Sequence, residues 1–125
     1  MNVAKILLPF IFLILLVGCT NEHTSSPFIS NPAPKDFLNN NDADIFLLDR
    51  YVFSNAEDVE WVRELEYELG EQIGEITEQE EIASKFRNGT ANILPIGTKI
   101  FETNTPVYIA VVKGKEIRYL KMVEG

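Results

Sequence analysis

The sequence predicts an α+β domain: a small antiparallel sheet of about four to six strands with one short amphipathic helix. Three observations lead to this prediction. Short runs of β-branched and aromatic residues recur between turn residues, and one stretch has apolar residues at helical spacing. In addition, the C-terminal part of the chain reads as a tight hairpin. We place this domain at residues 44–125.

The first elements of the domain are strands, followed by the helix. Apolar runs at residues 45–48 and 51–53 predict two short strands or one bent strand. The helix is predicted over residues 55–65, because Ser54 and Glu57 have the spacing of a capping box. One apolar stripe at positions i, i+3 and i+6 supports it: Val59, Val62 and Leu65.

The middle of the domain has weaker signals. Apolar residues alternate with glutamates just after the helix, and two glycines disfavour its continuation, so we expect a strand within residues 67–77. Residues 78–92 are polar and predict a loop, with one helical turn around residues 80–86. Pro95 and Gly97 then occupy the second and fourth places of a predicted type I turn.

The end of the domain has the clearest strand signals. Residues 98–103 and 107–112 are rich in β-branched and aromatic residues. The second of these runs is apolar on both faces, which predicts an interior strand of the sheet. A Lys-Gly-Lys turn at residues 113–115 leads into a partner strand at residues 116–123.

The first 18 residues have the pattern of a secretory signal peptide. Lys5 precedes an apolar run over residues 6–17, which is shorter than the roughly 20 residues that span a bilayer. The tetrapeptide LVGC at residues 16–19 resembles the bacterial lipobox, whose cysteine receives a diacylglyceryl group before the signal is cut. The resemblance implies cleavage between Gly18 and Cys19 and a lipid on Cys19. An uncleaved membrane helix is the alternative, which the short run disfavours.

Residues 19–43 predict a lipidated, flexible tether. Serine, proline and asparagine dominate this segment, and its apolar residues follow no period of 2 or 3.6. Such composition separates a folded domain from the bilayer.

Two stretches in the domain, ILPIGTKIFET and KGKEIRYLKMVEG, are similar to the C-terminal half of small, uncharacterised lipoproteins and secreted proteins of Bacillus-type bacteria. The similarity is one of strand-and-turn pattern. It implies a Gram-positive cell surface and brings no catalytic signature with it.

The charge of the chain is strongly acidic. Removal of residues 1–18 would leave ten basic and nineteen acidic residues, a net charge of −9. This balance disfavours binding to nucleic acid or to anionic lipid. Residues 57–81 contain eleven acidic residues and one basic residue, Arg63. The segment is either a solvated surface or an acidic face for a cationic partner.

Motifs for catalysis or metal binding are absent from the sequence. His23 lies in the tether, and an acylated Cys19 leaves no cysteine for a nucleophile or for zinc. Carboxylates are the remaining route to a hydrolase. Two groups of glutamates could supply them, one on a shared helical face (Glu64, Glu68 and Glu71) and one clustered in a loop (Glu78, Glu80 and Glu81), but solvent-facing carboxylates are the favoured interpretation of both. No calcium-loop pattern is present. We predict no catalytic residue, no metal ligand and no cofactor.

The sequence thus predicts a non-catalytic lipoprotein on the extracytoplasmic side of the cell membrane. Its expected role is that of a binding or accessory module for another envelope component. Two alternatives stay open: an immunity or sequestration lipoprotein that captures a cationic peptide through residues 57–81, and a small carboxylate-dependent hydrolase. The expected partners are the membrane, through Cys19, and an envelope protein or cationic peptide, with no nucleic acid.

Overall fold

The computed structural model of this protein describes residues 31–123. Its strands and its α-helix are, in chain order, β1 (Ile45–Leu48), β2 (Tyr51–Asn55), α1 (Glu60–Arg63), β3 (Leu69–Glu75), β4 (Glu78–Gln79), β5 (Thr90–Ala91), β6 (Lys99–Thr103), β7 (Val107–Val112) and β8 (Lys115–Met122). Two single turns of 3₁₀ helix lie at Pro34–Asp36 and Ala83–Lys85. The second of them lies within the helical turn expected around residues 80–86.

The eight strands form one sheet in the order β3-β6-β7-β8-β2-β1-β5-β4. Its strand pairs are antiparallel except for β4 and β5, which run parallel, and the sheet curls into a half-barrel. The predicted α+β class, with about four to six strands and an amphipathic helix, is therefore wrong. The described residues are mostly β, because the predicted loop over residues 78–92 contributes two short strands and the predicted helix shrinks to one turn.

The predicted helix over residues 55–65 is reduced to the four residues of α1. Ser54 and Asn55, which the sequence places at the helix start, instead continue β2 and pair with β8. Glu57 closes no capping box, because its carboxylate accepts a hydrogen bond from the backbone N–H of Arg118 at 2.7 Å. Strand pairing prevails because nucleating a short helix is unfavourable by itself.

Residues 56–67, which we call the strap, nevertheless place their apolar side chains against one face of the sheet. Val62 is fully buried, and Val59 and Leu65 are partly buried. They belong to one cluster with Val107 and Ile109 of β7. Full burial of such a side chain contributes about 1.5–3 kcal/mol. These contacts, rather than helix formation, hold the strap in place.

β7 is an interior strand, which confirms the prediction from its two apolar faces. It lies between β6 and β8. The side chains facing the strap are Val107, Ile109 and Val111, and those facing the concave side are Tyr108, Ala110 and Val112. Lys113 and Gly114 have φ values of 51° and 81°, which is the type I′ turn that suits a two-residue hairpin.

The first hairpin consists of two strands rather than one bent strand. β1 and β2 pair antiparallel along their lengths. Between them, Asp49 and Arg50 have φ values of 51° and 73°, again a type I′ pattern. The backbone N–H of Asp49 donates to Oδ1 of Asn88 at 3.0 Å, and this long-range bond supports the left-handed turn.

The turn before β6 lies one residue later than the sequence predicts. The N–H of Thr98 donates to the carbonyl of Pro95 at 3.2 Å, so Pro95 takes the first place and Gly97 the third. Gly97 has a φ of 97°, which a type II turn requires at its third place. The predicted type I turn, with Pro95 in second place, is therefore wrong.

β3 and β4 form the two ends of the sheet although they follow each other in the chain. Ile76 and Thr77 connect them and bond to both ends. The N–H of Ile76 donates to the carbonyl just before β6 at 2.8 Å, and that of Thr77 donates to Gly89, just before β5, at 2.9 Å. Gly74 lies against Leu48 of β1, where an added Cβ would come within 2.7 Å of the leucine side chain. The chain itself thus joins the two ends of the curled sheet.

The concave face of the sheet holds the larger hydrophobic cluster. Phe46 and Phe53 stack with ring centroids 4.7 Å apart, and Tyr119 lies at 5.0 Å from Phe46. The other buried members are Leu48, Ile76, Ala91, Leu94, Ile100 and Ala110. Because these residues come from β1, β2, β5 to β8 and two connections, this cluster unites the described domain.

Residues 31–43, which the sequence assigns to the tether, belong to the same compact unit as the sheet. The side chain of Asn92 joins the two parts, since its Nδ2 donates to the carbonyl of Ala43 and its Oδ1 accepts from the N–H of Ile45, each at 2.8 Å. The ordered fold therefore includes residues on the N-terminal side of β1.

Candidate functional site

A broad, open cleft of about 550 Å³ lies where residues 36–45 meet the end of β2 and the start of the strap. Among the residues that the structure describes, its lining contains five carboxylate side chains and no basic one. The carboxylates are Asp36, Asp42, Asp44, Glu57 and Asp58, and the uncharged polar residues are Asn39, Asn40, Ser54 and Asn55. We call this feature the acidic cleft.

Local hydrogen bonds shape the N-terminal wall of the acidic cleft. Oδ2 of Asp36 accepts from the N–H of Ala33 at 2.7 Å, which ties the first 3₁₀ turn. Oδ1 of Asn40 accepts from the N–H of Asp42 at 2.9 Å, a bond typical of an Asx turn. Short polar side chains thus fix the backbone that presents the carboxylates.

Asp44 connects the acidic cleft to the core. Its Oδ1 accepts from the hydroxyl of Tyr119 at 2.7 Å, and its Oδ2 accepts from Nδ2 of Asn55 at 2.9 Å. Tyr119 is fully buried. Burial first, and the nearby charge of Asp44 second, raise the pKa of the Tyr119 hydroxyl well above its ordinary range, so it stays protonated and donates. Asp44 therefore acts as an acceptor within the fold.

A second polar network fastens the strap to β8. Glu57 Oε2 accepts from the N–H of Arg118 at 2.7 Å and lies 3.6 Å from Nη1 of the same residue. The Arg118 guanidinium lies 5.3 Å from the ring centroid of Tyr67, whose hydroxyl donates to Oε1 of Glu116 at 2.6 Å. Burial, followed by this bond to Glu116, raises the pKa of Tyr67 to about 12. Glu57 is thus committed to holding the strap.

The remaining carboxylates of the acidic cleft, Asp36, Asp42 and Asp58, are exposed to solvent. Exposed charges attract oppositely charged groups within a Debye length, about 8–10 Å at ordinary ionic strength. Within the part of the chain that the structure describes, no group of three Asp, Glu, His or Cys residues is arranged to hold a metal ion. The cleft is therefore suited to attracting a cationic partner.

The three glutamates that the sequence assigned to one helical face do not share one. Glu64 follows α1, Glu68 precedes β3, and Glu71 lies in β3 itself. The predicted helical cluster is wrong because the chain leaves the helix after one turn and becomes a strand. The acidic segment 57–81 is accordingly divided among the strap, β3 and β4.

The glutamates of the predicted loop bond to neighbouring groups. Glu78 accepts from Nε of Arg87 at 2.6 Å, and this guanidinium lowers the pKa of the Glu78 carboxyl. Oε1 of Glu80 accepts from the backbone N–H of Glu81 at 3.1 Å. Neither bond directs a carboxylate pair toward a common substrate position.

A smaller groove of about 210 Å³ opens on the concave face near the β1–β2 turn. The apolar part of its lining is Leu48, Tyr51, Phe53, Ile73 and Tyr108, and the charged part is Asp49, Glu102 and Lys121. Nζ of Lys121 lies 4.5 Å from the ring centroid of Tyr51, a cation–π distance. We call this feature the concave groove.

The sequence analysis missed both the concave groove and the bond between Asp44 and Tyr119. Alternation in β8 contains a partial signal, since Ile117, Tyr119 and Lys121 share one face. A buried tyrosine also requires a partner for its hydroxyl. The identity of that partner, 75 positions away, has no local signal.

The residues that the sequence links to lipid anchoring, Gly18 and Cys19, lie outside the described residues, as does His23. Their roles stay predictions. Between residues 31 and 123 the structure has no helix that is long and apolar enough to cross a membrane.

Comparison of the chain with protein-family models, with curated proteins and with solved structures found no match.

Proposed function

We propose that this protein is a lipoprotein anchored through Cys19 to the outer face of the cytoplasmic membrane, and that its domain is a non-catalytic binding or accessory module. The observation that supports the binding role is the acidic cleft: an open concavity whose lining, within the described part of the chain, has five carboxylates and no basic residue. Its partner is another component of the cell envelope.

The anchor rests on the lipobox resemblance at residues 16–19 and on the physics of lipid attachment. Each buried methylene contributes about 0.8 kcal/mol, and stable anchoring needs roughly two chains, which a diacylglyceryl group supplies. Asn31, the first described residue, lies twelve positions after Cys19. A chain of that length spans at most about 40 Å. The acidic cleft, which begins at Asp36, would then act close to the membrane surface.

A cationic peptide is the second candidate partner, and the acidic cleft favours it specifically. A net charge of −9 after signal removal concentrates cations around an anchored domain, and the cleft lining offers no competing positive charge. An immunity or sequestration role for such a peptide is the corresponding alternative function.

A carboxylate-dependent hydrolase has less support. Carboxylate-dependent hydrolysis of a glycosidic bond needs two carboxyl groups at a fixed separation around the substrate. In the described domain, Asp44 and Glu57 bond to the fold, and Glu78 pairs with Arg87. These bonds support structural roles for the best positioned carboxylates.

Site-specific crosslinking in cells tests the binding role. A photoreactive residue in place of Asn39, an exposed residue of the acidic cleft, should give a crosslinked partner in the membrane fraction. The matched control is the same substitution at Lys113, exposed in the β7–β8 turn. Changing Asp42 and Asp58 to asparagine should reduce the Asn39 product. Equal products from both positions would count against the cleft.

The anchor has its own test. Cys19→Ala should abolish acyl labelling and either release the protein from the membrane fraction or leave it with an unprocessed signal. If the variant keeps the labelling and mobility of the unmodified chain, the lipobox interpretation is wrong.

A further inference from the structure

We infer that the free edge of β3, together with the concave groove beside it, accepts an extended partner segment in which basic and apolar residues alternate. The segment would add to the sheet as a ninth strand next to β3. This inference concerns a surface other than the acidic cleft, so it goes beyond the proposed function and stands or falls separately.

β3 has an unpaired edge. The strand lies at one end of the sheet, and among residues 31–123 it pairs only with β6. Its seven residues include four consecutive exposed positions, Leu69 to Gln72. Apart from the ladder with β6, no backbone bond joins residues 69–75 to another segment of the described chain. Such an edge offers backbone donors and acceptors to an added strand.

The opposite edge of the sheet does not offer the same opportunity. β4 has only two residues. A two-residue edge gives too few backbone bonds to position a partner. β3 is therefore the edge on which strand addition is feasible.

Charge selects a basic partner for this edge. Glu66, Glu68, Glu71 and Glu75 lie on β3 or just before it, and the sequence has no basic residue between Arg63 and Lys85. Like charges disfavour pairing of this edge with the same edge of a second copy. Lysine or arginine side chains on an added strand would instead meet opposite charges.

The concave groove supplies the apolar half of the recognition. Ile73 of β3 forms part of its lining, so the edge and the groove are adjacent. Its volume of about 210 Å³ lies below the 300–1,000 Å³ typical of drug-sized ligands and suits a side chain instead. Lys121, held over the Tyr51 ring, disfavours a basic side chain there. Since successive side chains of a strand point to opposite faces, the partner should alternate apolar with basic residues.

The test uses the full chain in detergent and an acetylated seven-residue peptide that alternates lysine and valine. The peptide should slow amide hydrogen exchange of residues 69–75 by roughly tenfold or more, because new ladder bonds protect those groups. The charge-reversed variant Glu68→Lys with Glu71→Lys should weaken binding by about fivefold or more. The matched control, Glu60→Lys with Glu64→Lys on the strap, makes the same change of net charge and should weaken binding less.

A second peptide separates strand addition from plain charge attraction. It has the same sequence, with every second amide N-methylated so that one edge lacks donors. Weaker binding of this peptide supports the inference. Equal binding overturns it, as does the absence of binding or protection confined to residues 36–44. The last outcome would leave the acidic cleft as the binding site and the proposed function intact.

Discussion

The two faces of β7 are covered in different ways. The concave face contributes Ala110 to a cluster with Phe46 of β1 and Tyr119 of β8, and this cluster also receives side chains from β2, β5 and β6. The opposite face contributes Val107 and Ile109 to a smaller, aliphatic cluster covered by the strap. The concave cluster therefore depends on the whole sheet, whereas the strap cluster depends on one short segment and a few polar contacts.

This difference predicts two kinds of failure. Damage to the concave cluster should affect the cooperative fold as a whole, since most strands meet there. Damage to the strap cluster should also lower stability, but part of the loss should appear as local opening of residues 56–67.

Phe46→Ala should have the largest effect. Phe46 is fully buried and stacks on Phe53 at 4.7 Å, so its removal leaves a cavity in the concave cluster. Phenylalanine truncations of this kind cost about 3–5 kcal/mol. Most small domains have only about 5–15 kcal/mol in total. Urea unfolding followed by circular dichroism should show a large drop in the midpoint, and a drop no larger than that of an exposed-site variant would contradict the described core.

Ile109→Ala should come next, at about 2–5 kcal/mol. Ile109 is fully buried beneath the strap. Relative to the unmodified chain, the rate of amide hydrogen exchange in this variant should increase more in the strap than in β1 and β2. Uniform acceleration across the sheet would mean that the two faces of β7 are not separable. Val62→Ala, on the strap side of the same contact, is the matched variant and should give the same pattern with a smaller loss.

The sequence predicted these two clusters unequally well. The alternating apolar faces of residues 107–112 and the stripe Val59, Val62 and Leu65 identified the strap cluster correctly, because each pattern lies within one segment. The secondary structure of the strap was predicted wrongly, since Ser54 and Asn55 are drawn into β2 by pairing with distant β8. A local capping pattern contains no information about such a competitor.

Contacts between distant segments also explain why the sequence did not predict β4, β5 or the position of the acidic cleft. β4 and β5 have two residues each, and both form by pairing with other segments: β5 with distant β1, and β4 with β5. The acidic cleft was predicted only as a charge imbalance over residues 57–81, whereas three of its five carboxylates precede that segment: Asp36, Asp42 and Asp44. Composition shows how much charge a chain has, and only the fold shows where it converges.

Two variants test whether Glu57 fastens the strap to β8 and whether Ser54 acts as a helix cap. Glu57→Ala removes the acceptor of the Arg118 N–H and should destabilise the domain by about 1–2 kcal/mol, allowing for its partial exposure. Ser54→Ala would cost about 1 kcal/mol if Ser54 capped a helix. Because Ser54 lies within β2, we expect a smaller change. Thermal unfolding of both variants measures these losses of stability. If Ser54→Ala lowers stability as much as Glu57→Ala does, the assignment of Ser54 to β2 is contradicted.

Alkaline pH should loosen the strap before the concave cluster. The folded pKa of Tyr67 is raised to about 12 from an ordinary value near 10, so the neutral hydroxyl is favoured in the folded state. The contribution of the neutral Tyr67 hydroxyl to the free energy of unfolding is fully present below pH 10 and is lost as pH rises toward 12. Tyr67→Phe should make stability less sensitive to pH across this interval. The absorbance of ionised tyrosine, followed against pH, should lose one step near pH 12 in the variant, and an unchanged curve would contradict the assignment.

Glu71→Ala should have the smallest effect. Glu71 is exposed on β3, at an irregularity in the pairing with β6 that leaves its side chain outside the regular ladder. Exposed substitutions away from caps, cores and networks usually change stability by less than about 0.5 kcal/mol. Glu71 also sits among like charges, so removing it relieves repulsion as well as removing solvated surface. The urea midpoint should therefore stay within error of the unmodified chain, while association with a basic strand at the β3 edge weakens. A large loss of stability would mean that Glu71 supports the sheet, and the acidic character of the β3 edge would then be a structural requirement rather than a feature of recognition.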